Sequence, residues 1–253
     1  MRQISIPARE SRGPCWARRL IQHLWQGETY YFQVDSHMRF ADNWDQKLIS
    51  LIKKCNAPKP VISTYPLPLT PSNDLSSDAL VEIMPRYFDD HGILHQHSAL
   101  RPMPDTLLEP EQTFLISAGM LFTHGGVIEE VPYDPFIYFM GEEITFSLRL
   151  WTYGYTIYNP NAVIAYHNYN GKTGRPRHWE DQKDWHLLNQ KSMKRIGHLL
   201  GFEMVSDSTV LSQINEYGLG DERTLSSFEK ASEINFRNRT WRGVPFTADK
   251  NTG

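Results

Sequence analysis

Four short constellations carry side-chain types that chemistry can use. The first is Asp35-Ser36-His37, which closes the apolar run TYYFQV at residues 29–34. In an extended backbone residues i and i+2 point to one side, so Asp35 and His37 can face a single cation. A carboxylate beside an imidazole suits Mn²⁺ better than Mg²⁺, which prefers an all-oxygen shell. A turn in which Asp35 caps a backbone group and His37 is merely polar has the same signature. The second is Gly141-Glu142-Glu143, where a helix pattern begins. Carboxylates are stabilised at a helix N-terminus, whether they act on a ligand or only complement the dipole. The third is His167, after the short run AVIAY and before NYNGKTGRPRH, which reads as a mobile loop. The fourth is Arg12 with Arg18 and Arg19 around a helix start. Such cations can hold a diphosphate or simply be solvated.

The elements that must position these groups follow from pattern. Residues 14–25 read as a helix, with Pro14 at its first position and Gly27 as its stop. Residues 29–34 are aromatic and β-branched, the composition of a buried strand. Asp42 or Asn43 can cap a helix running to about residue 54, and residues 60–65 (PVISTY) form the next strand. Strand, helix, strand in this order predicts a parallel α/β sheet. Residues 66–80 read as a surface loop, 113–122 (TFLISAGMLF) as one core strand and 162–166 as a short strand. Ile144, Leu148 and Trp151 recur at helical spacing over residues 141–153, and a long helix over 180–200 is closed by Gly201.

Composition narrows the class. The 253 residues suit one large domain, or one domain with a modest appendage. Lys+Arg 26 against Asp+Glu 29, a net charge of -3 with no basic block, argues against nucleic-acid binding. No apolar run approaches the roughly 18 residues that a membrane span needs. The two cysteines, Cys15 and Cys55, form no metal-type pair, so a reducing compartment is expected. No GxSxG, Walker, HExxH or GxGxxG motif occurs. His95-Gln96-His97 has zinc-ligand character, but it stands in a Pro-rich, irregular region with no evident third ligand.

Taken together, several blocks resemble a known family. The segment SRGPCWARRLIQHLWQGETYYFQVDSHMRFADNWD, then SAGMLF, YDPFIYFMGEEITFSLRLWTYGY, AVIAYHNY and YGLGDERTLSSFEKASEINF, is similar in order to the cytoplasmic polypeptide (hydroxyproline-linked) N-acetylglucosaminyltransferases. A more distant resemblance runs to the mucin-type polypeptide N-acetylgalactosaminyltransferases. These share the DSH triplet, an AGG-like turn, a WGGEN-like helix start and a later metal-binding His. The resemblance covers residues 4–236, which would form one GT-A domain with a mixed central sheet, leaving 237–253 as a loosely structured tail.

The resemblance implies transfer of N-acetylglucosamine from UDP-GlcNAc to a polypeptide hydroxyl, with retention at the anomeric carbon, by a cytoplasmic enzyme without a membrane span. It implies Mn²⁺ held by Asp35, His37 and His167 as a Lewis acid and template for the leaving diphosphate. Arg12, Arg18, Asp35, Ser36, Ala118, Gly119, Glu142 and Tyr169 would line the nucleotide-sugar site, with close backbone approach at Ala118-Gly119. Glu142 and Glu143 would stand at the reacting face, and residues 168–178 would close as a lid that excludes water. The alternative is a catalytically silent relative that binds metal or sugar nucleotide, or a protein-binding module.

The sequence also departs from the family pattern. Family members carry a further βα unit before the block that opens this chain, so a sheet edge is expected to be exposed. Met120 replaces the second glycine of the mucin-type turn, and Glu143 stands where those enzymes have Asn.

Overall fold

The computed structural model describes residues 1–69, 79–103, 109–169 and 182–246. The fold is mixed α/β, as expected. Helix α1 spans Pro14–Gln22, with Pro14 in its first turn. It begins at Gly13, whose φ of +95° only glycine adopts readily. A Cβ there would lie 2.0 Å from the Tyr138 carbonyl oxygen, so this glycine seats the helix start on the 135–141 segment.

Strand β1 (Tyr30–Val34) is followed by β2 (Met38–Phe40), α2 (Trp44–Lys54) and β3 (Pro60–Ser63). The expected parallel pairing of β1 with β3 is not what forms. Strand β8 (Met120–His124) lies between them, antiparallel to both. The physical reason is burial: Met120 to Thr123 are all buried, which an edge position does not provide. With β7 (Glu111–Thr113) and β9 (Thr156–Asn159) the sheet order is β1-β8-β3-β9-β7, and β3 runs parallel to β9. Strand β1 therefore lies at a sheet edge.

Side chains alternate along β8. Met120 and Phe122 pack with Leu48 and Ile52 of α2, and Leu121 packs with the residues of the opposite layer. That layer holds α3 (Val127–Glu130) and α4 (Glu142–Thr152), where Ile144 and Leu148 are buried as their spacing predicts. The single strand expected over 113–122 is two: β7 ends at Thr113, and residues 114–119 break away before β8 begins.

A second sheet, β2-β10-β4, joins β4 (Leu67–Pro68) and β10 (Ala165–His167). In its register Met38 faces His167. A long hairpin, β5 (Ala79–Phe88) with β6 (Leu94–Pro102), occupies the region expected to be irregular. His95 pairs with Asp89 at 3.1 Å there.

Helix α5 is Trp185–Leu199, followed by α6 (Ile214–Tyr217) and α7 (Leu225–Ser232). Its buried Arg195 meets the buried Asp134 at 2.6 Å, which fixes α5 to the 134–141 segment. The stretch from 237 was expected to be a loose tail, yet Thr240–Trp241 (β12) pairs with Ile234–Asn235 (β11) on one side and with Val244–Pro245 (β13) on the other. Apolar burial explains the difference, because Trp241 and Phe246 pack against the main core. Residues 170–178 of the expected lid, and 247–253 of the expected tail, lie outside the described residues. No helix among the described residues is long and apolar enough to cross a membrane.

Candidate active site

Three separate elements meet around one guanidinium. Arg18 projects from α1 one turn after Pro14. It donates to Glu142 at the first position of α4, to Asp35 Oδ1 at 2.9 Å after β1, and to the Ala118 carbonyl at 3.1 Å before β8. Its guanidinium also lies over the Tyr133 ring, 5.6 Å from the centroid. Burial raises the Glu142 carboxyl and Arg18 opposes that rise. Although burial disfavours its charge, the Glu142 carboxylate holds Arg18 above the ordinary guanidinium range.

Glu143, the next residue, faces a different set of donors. The Tyr65 hydroxyl donates to it at 2.5 Å, Gln96 Nε2 at 3.1 Å and the Ala118 N–H at 2.9 Å. Burial pushes its carboxyl up to about 7, with the Tyr65 and Ala118 hydrogen bonds holding it back. Two adjacent carboxylates thus have distinct environments, one ion-paired and one hydrogen-bonded. Both follow from Gly141, whose φ of +81° starts α4 so that its first turn points into the site.

The turn at Ala118-Gly119 is braced from below. Gln33 Nε2 donates to the Ala118 carbonyl at 2.7 Å, and the Gly119 N–H donates to Ser117 Oγ at 3.1 Å. Gly119 does permit a close approach, but the partner within this chain is Asp35. A Cβ at Gly119 would lie 3.1 Å from Asp35 Oδ2, and Asp35 N–H donates to the Gly119 carbonyl.

These groups line a cavity of about 320 Å³, open to solvent, whose wall also includes His167 and Tyr169. The His167 and Tyr169 rings meet edge to face at 4.4 Å, and the Tyr169 hydroxyl donates to the Pro66 carbonyl at 2.8 Å. Ser36 and His37 stand outside the lining. Ser36 Oγ and His37 Nδ1 are 2.7 Å apart, and His37 takes a left-handed φ of +67°. Arg12 is also absent from this cavity and borders a separate cleft across α1.

The donor set expected for a metal fits Mn²⁺ in chemistry. The β2–β10 register also brings the DSH triplet beside His167, and the Asn168 N–H donates to the His37 carbonyl at 3.3 Å. Among the described residues, however, no three acidic, His or Cys side chains are disposed to hold a metal ion. Asp35 is instead engaged by Arg18. The residues therefore supply the donor types on neighbouring strands without a preformed cage.

Sequence reasoning singled out Arg18, Asp35, Ala118, Gly119, Glu142, Glu143, His167 and Tyr169, and the structure brings these eight to one cavity. It missed Tyr65 and Gln96. The only sequence signal for Tyr65 was its place at the end of a predicted strand. Gln96 had none beyond lying between two histidines.

A mixed α/β domain with adjacent carboxylates in an open cavity fits several classes of protein, and the family is shown by the sequence itself. Residues 1–238 match the family model described as Glycosyltransferase (GlcNAc), and the chain belongs to that family. Among solved structures, the chain is similar to the crystal structure of GalNAc-T7 with UDP, GalNAc and Mn²⁺. That likeness has 19% identity and a TM-score of 0.48, and covers 87% of this chain and 41% of the other. The chain thus spans less than half the length of that structure. No curated protein matches it.

Proposed function

We propose that the chain is a GT-A-type glycosyltransferase that moves N-acetylglucosamine from UDP-GlcNAc to a polypeptide hydroxyl, hydroxyproline being one candidate, with retention. The observation that carries this reading is the meeting of Arg18, Asp35, Glu142 and Glu143 in one open cavity of a chain belonging to a glycosyltransferase family. Cys15 and Cys55 are both free thiols, which agrees with a cytoplasmic setting.

The hard step is departure of a diphosphate while positive charge develops on the sugar. In this reading Glu142 and Arg18 bind sugar hydroxyls as a paired acceptor and donor. Glu143 presents a carboxyl beside the developing charge, held in place by Tyr65 and Gln96. The acceptor oxygen bonds to the anomeric carbon on the face that the diphosphate leaves. The carbon–oxygen bond to UDP breaks with its electron pair, and the hydroxyl proton passes to a β-phosphate oxygen. Asp35, His37 and His167 would hold a divalent cation, which supplies charge neutralisation at the diphosphate.

Isothermal titration of UDP with and without Mn²⁺ tests the reading. Mn²⁺-dependent binding that Asp35→Ala abolishes supports it, and UDP binding indifferent to Mn²⁺ defeats the metal-dependent form. The Arg18–Asp35 ion pair favours a second reading, a silent relative that binds sugar nucleotide without turnover. Mass spectrometry of peptides incubated with UDP-GlcNAc separates the two, since only a transferase adds the sugar mass.

A further inference from the structure

Strand β1 carries one glutamine among aromatic and β-branched residues, and that glutamine is buried. A buried amide costs stability unless its donors and its acceptor find partners. Those of Gln33 do. Its Nε2 donates to the Ala118 carbonyl and to the Tyr133 hydroxyl, both at 2.7 Å, and its Oε1 accepts from the Tyr31 hydroxyl at 2.9 Å. A carbonyl can only accept, so the Ala118 contact fixes which end of the amide faces it. Tyr31, Gln33 and Asp35 alternate onto one side of the extended chain, the side on which Asp35 meets Arg18.

Both groups to which Gln33 donates also touch Arg18. The guanidinium donates to the Ala118 carbonyl at 3.1 Å and lies over the Tyr133 ring. Tyr133 is itself enclosed: its N–H donates to Gln22 Oε1 at 2.9 Å, and its ring packs on that of Phe146 at 4.4 Å. Because the Tyr133 hydroxyl accepts from Gln33, its own hydrogen is left for another acceptor. Glu142 borders the same interior void as Tyr133, and hydrogen bonding from Tyr133 favours its ionised form. One amide thus governs a carbonyl and a ring that seat the arginine, and a hydroxyl that orients the carboxylate. A fully satisfied buried network of this kind specifies one arrangement of the groups above it.

We propose that Gln33 and Tyr133 are positioning residues of the donor-sugar site. Gln33 sets the Ala118 carbonyl and the Tyr133 ring, and these set the Arg18–Glu142 pair in the orientation that meets sugar hydroxyls. Neither residue lines the cavity, so both act through the pair and not on the ligand. The inference rests on the reading of the cavity as a nucleotide-sugar site and adds the groups that make it discriminate sugar from nucleotide. Preorganisation strengthens binding of the ligand part that the pair touches and leaves the rest of the ligand indifferent.

Isothermal titration of the full chain with UDP-GlcNAc and with UDP, each in the presence of Mn²⁺, tests it. Tyr133→Phe removes one hydroxyl and keeps the ring beneath Arg18. It is expected to weaken UDP-GlcNAc binding about fivefold and to leave UDP binding within about twofold. Gln33→Met keeps the length of the side chain and removes both donors. It is expected to weaken UDP-GlcNAc binding about tenfold, again with little change for UDP. The double variant is expected to lose no more than Gln33→Met, because the two residues act in one relay. Thermal melts establish that the variants are folded; should Gln33→Met not fold, Tyr133→Phe, which loses a single oxygen, carries the comparison. Equal weakening of the two ligands marks a merely structural role and overturns the proposal, as do losses that add in the double variant. If the wild-type chain binds both ligands and Tyr133→Phe leaves the ratio of their affinities unchanged, the positioning role fails and the transferase reading stands. If the wild-type chain binds neither, or UDP alone, the transferase reading fails and the positioning role falls with it.

Discussion

The Tyr65 hydroxyl lies 2.5 Å from Glu143 Oε2, tying the end of one strand segment to the first turn of a helix 78 residues later. The contact binds a neutral donor to a carboxyl that burial pushes up to about 7. Glu143 therefore changes charge near neutral pH, and stability should follow it. Below the ordinary value of 4.5 both folded and unfolded chains hold the proton. As pH rises the unfolded chain releases it first, so stability falls, and the loss is complete above about 7. Its full size is roughly 3 kcal/mol. Glu143→Gln should remove this slope, as read from urea midpoints of both proteins between pH 5 and pH 8. Identical pH dependence in the two would mean that another group titrates.

Removing the donor should move the same transition. Tyr65→Phe takes away a hydrogen bond that favours the ionised carboxylate. The pH window of the stability loss should shift upward by about one pH unit. The Glu143 carboxyl can also be followed directly, by its carbon chemical shift against pH. A shift of the midpoint to lower pH would contradict the assignment.

Arg18 and Glu142 form a nearly buried pair, with side chains 13% and 7% exposed. Breaking such a pair on one side strands a charge, which costs more than the intact pair contributes. Arg18→Met should destabilise the fold by about 3–5 kcal/mol in chemical denaturation. The double variant Arg18→Met/Glu142→Met should recover most of that loss. Equal losses in the single and double variants would show that the guanidinium matters for packing alone.

Much of this arrangement is legible in the sequence, and the gaps have causes. Pro14 and Gly141 mark their helix starts by local backbone rules, so α1 and α4 can be read directly. The order β1-β8-β3 cannot, because pairing of distant strands leaves no local pattern. The β5–β6 hairpin is hidden by Pro85 and by the bulge between Pro85 and Tyr87, both of which break strand periodicity. Gln96 reaches Glu143 only through that hairpin, so its role was unreadable. Arg12 looked like a partner of Arg18, but six residues across a helix start place them on opposite sides of α1.

Two glycines offer a controlled comparison. Gly13 and Gly27 both have φ near +95°, but a Cβ at Gly13 strikes the Tyr138 carbonyl and one at Gly27 meets nothing within 4 Å. Gly27→Ala should cost about 1 kcal/mol, the backbone contribution alone. Gly13→Ala should cost at least about 3 kcal/mol, since α1 must lift from the segment beneath it. Thermal melts of the two variants provide the measurement. Similar losses would mean that the contact at Tyr138 relaxes freely.

Among the described residues β5 and β6 form a two-stranded sheet of their own, yet the hairpin delivers Ile93 to Gln96 into the cavity wall. The carboxylates and the arginine stand instead on the helices and strand ends of the main body. The hairpin and the main body thus meet at Glu143 through Gln96, and a graft of a different hairpin would reshape one wall of the pocket and remove one of the donors that hold this carboxyl.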